Sequence, residues 1–310
     1  MRKIFTIGET VLDIIFKNGQ PVASTAGGSM LNTSVSLGRL ELPIHFISEY
    51  GNDPVGFMID DFLNKNGVNS DYVYQFEDGK SALALAFLDE GNNASYTFYK
   101  SYPQKRFDIS FPEINENDIV MFGSIYAIAM EIRDTLREFL LYAKSRNALI
   151  YYDPNFRKAH LHELEQLRPA ILENMSLASV VRASDEDLEI IFGAKNSEEA
   201  YEAVKPFCST LIYTSSSEAA YLKTPEITLG LPTHKIEPVS TIGAGDTFNA
   251  GIAYGLYKHN IGKNTFSSVS ADTWQQLIGY GIDFATEVCL SYDNYISAEF
   301  AITRHTEDNE

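Results

Sequence analysis

Cysteine, positive charge and long apolar runs are all scarce in this sequence. Two cysteines in 310 residues exclude a disulfide framework and favour reduced thiols in the cytoplasm. Lys and Arg number 24 against 42 Asp and Glu, which gives a formal net charge of -18. Because this excess of acid repels phosphate backbones and anionic lipid headgroups, we expect neither nucleic acid nor membrane as a partner. No apolar run approaches the roughly 18 residues of a membrane span.

Apolar residues are plentiful, at 45% of the chain, and they follow alternating strand and helix patterns. Short apolar runs at 119–122, 148–152, 180–181 and 211–213 predict buried strands, and residues 131–146 place apolar side chains on one helical face. Such alternation is typical of a largely parallel sheet with helices on both faces. The sequence therefore predicts an α/β fold.

Residues 80–100 show a different pattern. Apolar side chains alternate between Ala82 and Leu88, residues 96–99 are rich in β-forming types, and turn residues stand at 90–93. This pattern predicts a β-hairpin. Inserted in an α/β chain, the hairpin either projects as a lid over a cleft or extends the edge of the main sheet, and the pattern alone leaves both open.

The segment 240–251 carries the strongest functional signal. Gly243, Ala244 and Gly245 are small enough for the backbone to turn tightly and to approach a ligand. Apolar residues at helical spacing follow, so a helix is predicted to begin near Asp246. Amide groups at a helix N-terminus attract anions. A carboxylate there is either a helix cap or a base that takes a proton from a hydroxyl attacking phosphate, and the preceding glycines favour the base.

This segment resembles the C-terminal signature of the ribokinase-like (PfkB) carbohydrate kinases, whose core is Gly-Ala-Gly-Asp followed by a helix. An N-terminal signature, Ala-Gly-Gly-Ser-Met-Leu-Asn-Thr-Ser, stands at 26–34, and a run Asp-Pro-Asn-Phe-Arg at 153–157 is similar to one frequent in fructokinases and ketodeoxygluconate kinases. The resemblance implies a single ribokinase-like kinase domain over residues 1–310. It also implies a small β-sheet lid formed from segments near 10–26 and 80–102.

The resemblance implies a set of residues that bind the sugar acceptor: Asp13, Gly27, Gly28, Asn32 and Arg157. A carboxylate and an amide suit this task because each binds vicinal hydroxyls with two hydrogen bonds. Structural roles stay open for three of them. Asn32 also fits a cap or packing residue of the helix that follows, Asp13 a structural polar residue, and Arg157 a member of a surface ion pair.

For catalysis the resemblance implies that Asp246 accepts the hydroxyl proton. The transferring phosphoryl group would be stabilised by Gly243, Ala244 and Gly245. The residues implied for binding ATP are Thr214, Ser216, Gly245 and Thr286. Asp187 takes the acidic position of a motif that organises Mg²⁺ through water, although Ser184 and Asp187 also fit a capping box.

The sequence departs from the family pattern at the expected cation site and at the expected nucleotide site. Ser240 stands six residues before Asp246, where family members usually carry an Asp that helps to bind a monovalent cation. Because an oxygen cage with less negative charge binds cations more weakly, activation by potassium is in doubt. The run Thr-Ser-Ser-Ser-Glu-Ala at 214–219 replaces Thr-Leu-Gly-x-x-Gly, which adds side chains beside the expected nucleotide.

These features predict an ATP- and Mg²⁺-dependent kinase that phosphorylates a primary hydroxyl of a sugar, with fructose first among the acceptors. Ketodeoxygluconate, ribose and nucleosides are alternative acceptors. A sugar-binding protein without catalysis is the alternative of another class. Lids of this kind often pair with a partner's lid, so the sequence is also compatible with a homodimer.

Overall fold

The computed structural model of the chain describes residues 2–89, 94–216 and 218–308, so the predicted turn at 90–93 lies outside the described residues. In the described residues the strands are β1 (Ile4–Ile7), β2 (Val11–Lys17), β3 (Gln20–Gly27), β4 (Ile44–Gly51), β5 (Asn69–Phe76), β6 (Lys80–Leu88), β7 (Ala94–Ser101), β8 (Ile119–Gly123), β9 (Leu149–Asp153), β10 (Val180–Ser184), β11 (Leu211–Ser215), β12 (Ala219–Lys223) and β13 (Thr228–Pro232). The α-helices are α1 (Ser29–Arg39), α2 (Pro54–Lys65), α3 (Arg133–Ser145), α4 (Leu164–Leu177), α5 (Asp185–Phe192), α6 (Ser197–Val204), α7 (Ala244–Lys258), α8 (Ala271–Cys289) and α9 (Ala298–Asp308).

Nine strands form the main sheet, in the order β13-β12-β11-β10-β9-β8-β1-β4-β5. Neighbouring strands are parallel throughout the series β11, β10, β9, β8, β1, β4 and β5. At the other edge, β12 pairs antiparallel with β11, and β13 pairs antiparallel with β12. Every residue of β8 and β9 is buried, as expected for strands that are covered on both faces. The predicted strands and the helix at 131–146, which begins at Arg133, are confirmed.

Helices cover both faces of the main sheet and form two apolar cores with it. Side chains that alternate along one strand enter different cores, as Ile4 and Phe5 of β1 do. One core takes its helical residues from α1, α2, α7, α8 and α9, and the other from α3, α4, α5 and α6. No helix in the described part of the chain is both long and apolar enough to cross a bilayer.

The predicted hairpin belongs to a separate small sheet with the order β3-β2-β6-β7. Two antiparallel pairs, β2 with β3 and β6 with β7, are joined through a parallel pairing of β2 with β6. The register puts Asp13, Ala84 and Phe98 opposite one another, hence on one face. The hairpin is therefore part of its own sheet and does not extend the edge of the main one.

The carboxyl ends of the parallel strands collect the polar residues of the candidate site. Asp153 ends β9 opposite Gly123, and Ser184 ends β10 opposite Thr214 of β11. In the main sheet, β4 and β5 lie on one side of β1, and β8 and the later strands lie on its other side. Ligands of open parallel sheets bind at this kind of strand-order reversal, outside the carboxyl ends.

Candidate active site

The segment before α7 is a tight loop whose shape requires glycine at its first position. Gly243 is the N-cap of α7 with φ 82°, and a Cβ there would lie 2.6 Å from the backbone oxygen of Asn294. The helix begins at Ala244, two residues earlier than predicted, and Phe248 is buried on its inner face. Asp246 therefore lies inside the first turn and is not the cap.

Two amides of this first turn are available to an anion. The amide of Ala244 donates a long hydrogen bond, 3.4 Å, to the carbonyl of Thr241. Within the described part of the chain, the amides of Gly245 and Asp246 donate to no other residue. Free amides at the positive end of a helix dipole attract negative charge, so the loop 243–246 can hold a phosphoryl group.

The Asp246 carboxylate is buried and hydrogen bonded to α1. Its Oδ1 accepts from Ser29 Oγ at 2.6 Å, and its Oδ2 accepts from Asn32 Nδ2 at 2.9 Å. Burial raises the pKa of Asp246 to about 6; the bonds from Ser29 and Asn32 oppose this shift, the charge of Asp153 adds to it, and that of Arg157 opposes it. A base with a raised pKa near neutrality is well matched to proton abstraction.

Asp13 of the small sheet meets the start of α1. A Cβ on Gly27 would lie 2.5 Å from Asp13 Oδ2, and Gly28, with φ 136°, passes so close to Glu9 that a Cβ would stand 2.2 Å from its carbonyl oxygen. Asp13 is half-buried, its carboxylate accepts no hydrogen bond from the described residues, and burial raises its pKa to about 6. A desolvated carboxylate without a protein donor suits the hydroxyls of a ligand.

Asn32 faces the candidate base and also has a spare acceptor. Its Nδ2 donates to Asp246, whereas its Oδ1 is buried without a hydrogen-bond partner among the described residues. Burying an unpaired amide oxygen costs roughly 1–3 kcal/mol. Asn32 is therefore more than a packing residue of α1, and a hydroxyl donor would satisfy it.

The run at 153–157 is tied to the same centre through Asp153 and Asn155. Asp153 is fully buried; its Oδ2 accepts from Arg182 and from Asn249, and its Oδ1 from the amide of Asn155. Asn155 Nδ2 in turn donates to Ser29 Oγ at 3.0 Å. A continuous series of hydrogen bonds thus leads from Asp153 to Asp246.

Arg157 lies at the exposed end of this run. It forms no ion pair with the described carboxylates, although the neighbouring Lys158 pairs with Glu186 at 3.4 Å. Its positive charge lowers the pKa of Asp246. The alternative role of Arg157 in a surface ion pair thus finds no support in the described residues.

The predicted nucleotide residues are only partly brought together. Thr214 Oγ1 accepts from Arg182 Nη2 at 2.8 Å, and a Cβ on Gly245 would lie 3.0 Å from Arg182 Nη1, so these two residues share one neighbour. Ser216 follows β11 with φ 33°, is exposed, and forms no hydrogen bond with the described residues of the loop 243–246.

Thr286 lies on α8 beside a cavity of about 220 Å³. The cavity is lined by His234, Asp283, Thr286, Glu287, Leu290, Phe300 and Arg304. The Thr286 hydroxyl donates to the carbonyl of Ile282 at 2.8 Å, which directs its hydrogen into its own helix. Thr286 therefore contributes chiefly shape to this cavity.

Asp187 forms the capping box that its spacing allows. Its Oδ2 accepts from the amide and hydroxyl of Ser184, and its Oδ1 accepts from the amide of Phe156 at 2.6 Å. Burial, followed by the charge of Asp153, raises the pKa of Asp187. No group of three His, Cys, Asp or Glu residues in the described chain is arranged to hold a metal ion. Any role of Asp187 toward Mg²⁺ would therefore pass through water and the phosphates of a nucleotide.

Sequence reasoning missed two residues of this centre. Ser29 was part of the quoted signature but received no role, and Arg182 received no attention. Arg182 stands in the otherwise apolar strand β10, Val-Val-Arg-Ala-Ser, and a charge inside a buried strand is a signal that could have identified it.

Comparisons with known proteins identify the family and the fold of the chain. Residues 1–271 match the family model described as pfkB family carbohydrate kinase. The fructokinase of Vibrio alginolyticus is 23% identical over 278 residues, which cover 88% of this chain and 90% of that protein. The crystal structure of aminoimidazole riboside kinase from Salmonella enterica, complexed with aminoimidazole riboside and an ATP analogue, has a TM-score of 0.82 at 20% identity and covers 99% of this chain and 100% of its own.

A second solved structure is equally similar. A double mutant of fructokinase from Vibrio cholerae O395, in a form bound to fructose, ADP and potassium ion, has a TM-score of 0.83 at 20% identity. The match covers 98% of each chain. Similarity over the full length of both structures confirms the predicted ribokinase-like fold with its small second sheet.

Proposed function

The chain belongs to the PfkB family of carbohydrate kinases, and on this premise we propose that it transfers the γ-phosphoryl group of ATP to a primary hydroxyl of a sugar, preferably fructose. One observation carries the proposal. The buried Asp246 carboxylate adjoins a glycine loop with free amides and lies beside Asn32, whose Oδ1 has no partner in the described chain. A buried carboxylate, free backbone amides and an unpaired amide oxygen thus lie together, and this supports their proposed roles as base, phosphate-binding groups and acceptor-binding group.

In the proposed reaction the acceptor hydroxyl oxygen attacks the γ-phosphorus. The new O–P bond forms as the bond to the β–γ bridging oxygen breaks, ADP leaves, and Asp246 takes the hydroxyl proton. Gly243, Ala244 and Gly245 shape the loop, and its free amides, those of Gly245 and Asp246, stabilise the charge of the transferring group. The raised pKa of Asp246, about 6, leaves it ionised at neutral pH and makes it a stronger base than an exposed Asp.

The acceptor is proposed to lie between the two sheets. Asp13, Gly27, Gly28 and Asn32 would bind its hydroxyls, and Arg157 would approach either the sugar or the phosphate. The small sheet, formed by residues 11–27 and 80–101, is the proposed lid of the single kinase domain. The stacked rings of Tyr96 and Phe98, 6.1 Å apart, support this because Phe98 shares a face with Asp13, and ring faces pack well on sugars.

ATP is proposed to bind along Thr214, Ser216, Gly245 and Thr286, with its base toward the cavity on α8. When bound, Mg²⁺ would neutralise phosphate charge, and Asp187 would orient its water. The Ser240 hydroxyl is an acceptor for the amide of Ile242 at 3.2 Å and brings no negative charge, so we expect no requirement for potassium. Use of ATP and the free thiols of Cys208 and Cys289 support a cytoplasmic location.

A homodimer through the small sheet is part of the proposal. By register, Phe16, Leu83, Phe87 and Tyr99 share the face opposite to Asp13. Phe87 and Tyr99 are 42% and 56% exposed, and a second copy of this face would cover them. Light scattering during size-exclusion chromatography tests this: a dimer is expected, and conversion to a monomer by Phe87→Glu. A wild-type chain that elutes as a monomer would contradict it.

Coupled turnover of ATP with a panel of acceptors tests the function. Fructose is expected to be phosphorylated, with a rate independent of potassium. A riboside is the second candidate, because a riboside kinase is among the similar structures. Asp246→Asn is the matched inactive control. Sugar binding by calorimetry without ATP binding, together with no turnover of any acceptor, would instead identify a non-catalytic sugar-binding protein.

A further inference from the structure

Arg182 is a buried charge beneath the proposed phosphate-binding loop. Arg182 lies on β10 and is only 7% exposed. Its Nη1 donates to Asp153 Oδ2 at 3.0 Å, and its Nη2 donates to Thr214 Oγ1. The guanidinium carbon lies 5.4 Å from the ring centroid of Phe248. Burying a guanidinium costs several kcal/mol of folding free energy unless the group is well paired. A buried arginine in the middle of the site is therefore expected to have a specific role.

The guanidinium lies close beside the loop. A Cβ on Gly245 would lie 3.0 Å from Nη1 and 3.4 Å from Nη2 of Arg182, so the glycine leaves room for the cation beside the backbone. The Nε of Arg182 is buried without a hydrogen-bond partner among the described residues. One N–H donor of the ion-paired guanidinium is thus left unsatisfied beside the proposed phosphate-binding loop.

Arg182 also connects the two halves of the site. Through Asp153 it joins the hydrogen bonds that lead by Asn155 and Ser29 to Asp246. Through Thr214 it holds the end of β11, on the nucleotide side. One side chain therefore contacts the acceptor side, the nucleotide side and the loop between them.

We propose that Arg182 is a positioning residue for phosphoryl transfer, which fixes the loop 243–246 against Asp153 and Thr214 and compensates the charge of Asp153 near the base. This inference rests on the proposed function. The titratable and charged groups that face Arg182 and Asp246 are Tyr151, Asp153, Arg157 and Asp187. Among them, Asp153 raises the pKa of Asp246, and its effect grows when the compensating cation is removed.

Three variants separate the charge of Arg182 from its geometry. Arg182→Met removes the charge and the geometry together. Arg182→Lys keeps the charge but loses the planar fork that holds two acceptors. The double variant Arg182→Met with Asp153→Asn removes the positive charge of Arg182 and the negative charge of Asp153. The midpoint of Asp246 ionisation is read from its carboxyl ¹³C chemical shift, assigned with Asp246→Asn, and turnover is measured in parallel. Arg133→Met is the matched control, since Arg133 is equally buried and pairs instead with Glu173.

Arg182→Met is expected to raise the midpoint by about one pH unit and to lower kcat by about tenfold or more. The double variant should return the midpoint to within about 0.3 units of wild type while kcat stays low. Arg182→Lys should keep the midpoint but lower kcat about tenfold, with both KM values changed less than about threefold. Arg133→Met should lower thermal stability alone.

Either of two titration results would overturn the inference: an unchanged Asp246 midpoint in Arg182→Met, or an equal shift in Arg133→Met. If Arg182→Met fails to fold, Arg182→Lys still decides, because a wild-type kcat in that variant contradicts the positioning role. The titration needs no turnover. A wild-type protein that phosphorylates no acceptor would therefore refute the proposed function while the midpoint still tests Arg182.

Discussion

The acceptor half and the nucleotide half of the proposed site are built on different physical principles. On the acceptor side, Asp13 and Asp246 are carboxylates whose burial raises their pKa to about 6, and Asn32 buries an unpaired oxygen. On the nucleotide side, Ser216 is exposed and the Thr286 hydroxyl bonds to its own helix. In the proposed site, acceptor recognition would depend on desolvated polar groups and nucleotide recognition on shape and backbone. Substitutions in the two halves should therefore differ in effect.

Asp246→Asn should have the largest effect. Loss of a positioned base typically lowers kcat by about 100-fold or more, with both KM values little changed. The variant should also be more stable at pH 7, because a pKa raised from 3.8 to about 6 means that the ionised carboxylate destabilises the fold above pH 6. At about 1.4 kcal/mol per pKa unit, we expect the free energy of unfolding to rise by about 1–3 kcal/mol. Steady-state kinetics and urea unfolding measure both; near-normal turnover would remove Asp246 from the role of base.

Asp13→Asn should act on acceptor binding alone. A hydrogen bond to a charged group contributes about 1.5–3 kcal/mol, so KM for the acceptor should rise about tenfold to a hundredfold. KM for ATP should change less than about twofold, since Asp13 belongs to the small sheet. Asp71→Asn, an exposed acid on β5, is the control. An equal rise in KM for ATP would show that the two halves are not separate.

The pH dependence distinguishes one essential carboxylate from two. Both Asp13 and Asp246 are ionised above their pKa of about 6, so activity should fall as the pH decreases below that value. If both must be ionised, kcat/KM for the acceptor falls about a hundredfold per pH unit in wild type and about tenfold in Asp13→Asn. A wild-type profile with the slope of a single group would limit the requirement to one carboxylate.

Thr286→Val should have the smallest effect. Because the hydroxyl donates to the Ile282 carbonyl, its loss should change KM for ATP less than about threefold. Thr286→Phe is the paired variant: its ring fills part of the cavity of about 220 Å³ and should raise KM for ATP about tenfold or more. If valine were as harmful as phenylalanine, the nucleotide would depend on the hydroxyl and not on shape.

The fold could be predicted largely from local pattern. The buried strands β8 and β9 appear in the sequence as short apolar runs, and the hairpin of β6 and β7 as an alternation of apolar and other side chains. Each pattern reflects the burial of that segment itself. The start of α7 was predicted two residues late, since the left-handed Gly243 and its contact with Asn294 involve a distant part of the chain. The cap role considered for Asp246 was wrong for the same reason.

Residues of the candidate site could be predicted only where they belong to one continuous sequence motif. The proposed roles of Gly27, Gly28 and Asp246 follow from signatures in which chemistry and backbone requirements are adjacent in sequence. Arg182 was not predicted, because the residues around it are distant in sequence. Its hydrogen-bond partners Asp153 and Thr214 come from the two neighbouring strands, and Gly245 comes from a distant loop. Such a role depends on strand order, which spacing does not encode.

The attachment of Asp13 to the small sheet and of Asp246 to the main sheet has an evolutionary consequence. The proposed acceptor carboxylate, Asp13, thus belongs to one sheet, whereas the proposed base, Asp246, lies on α7, which packs on the other sheet. Under the proposed function, mutations in the small sheet would alter which alcohol is accepted while Asp246 and its loop stay unchanged. One scaffold can in this way give rise to enzymes with many substrates and a single reaction.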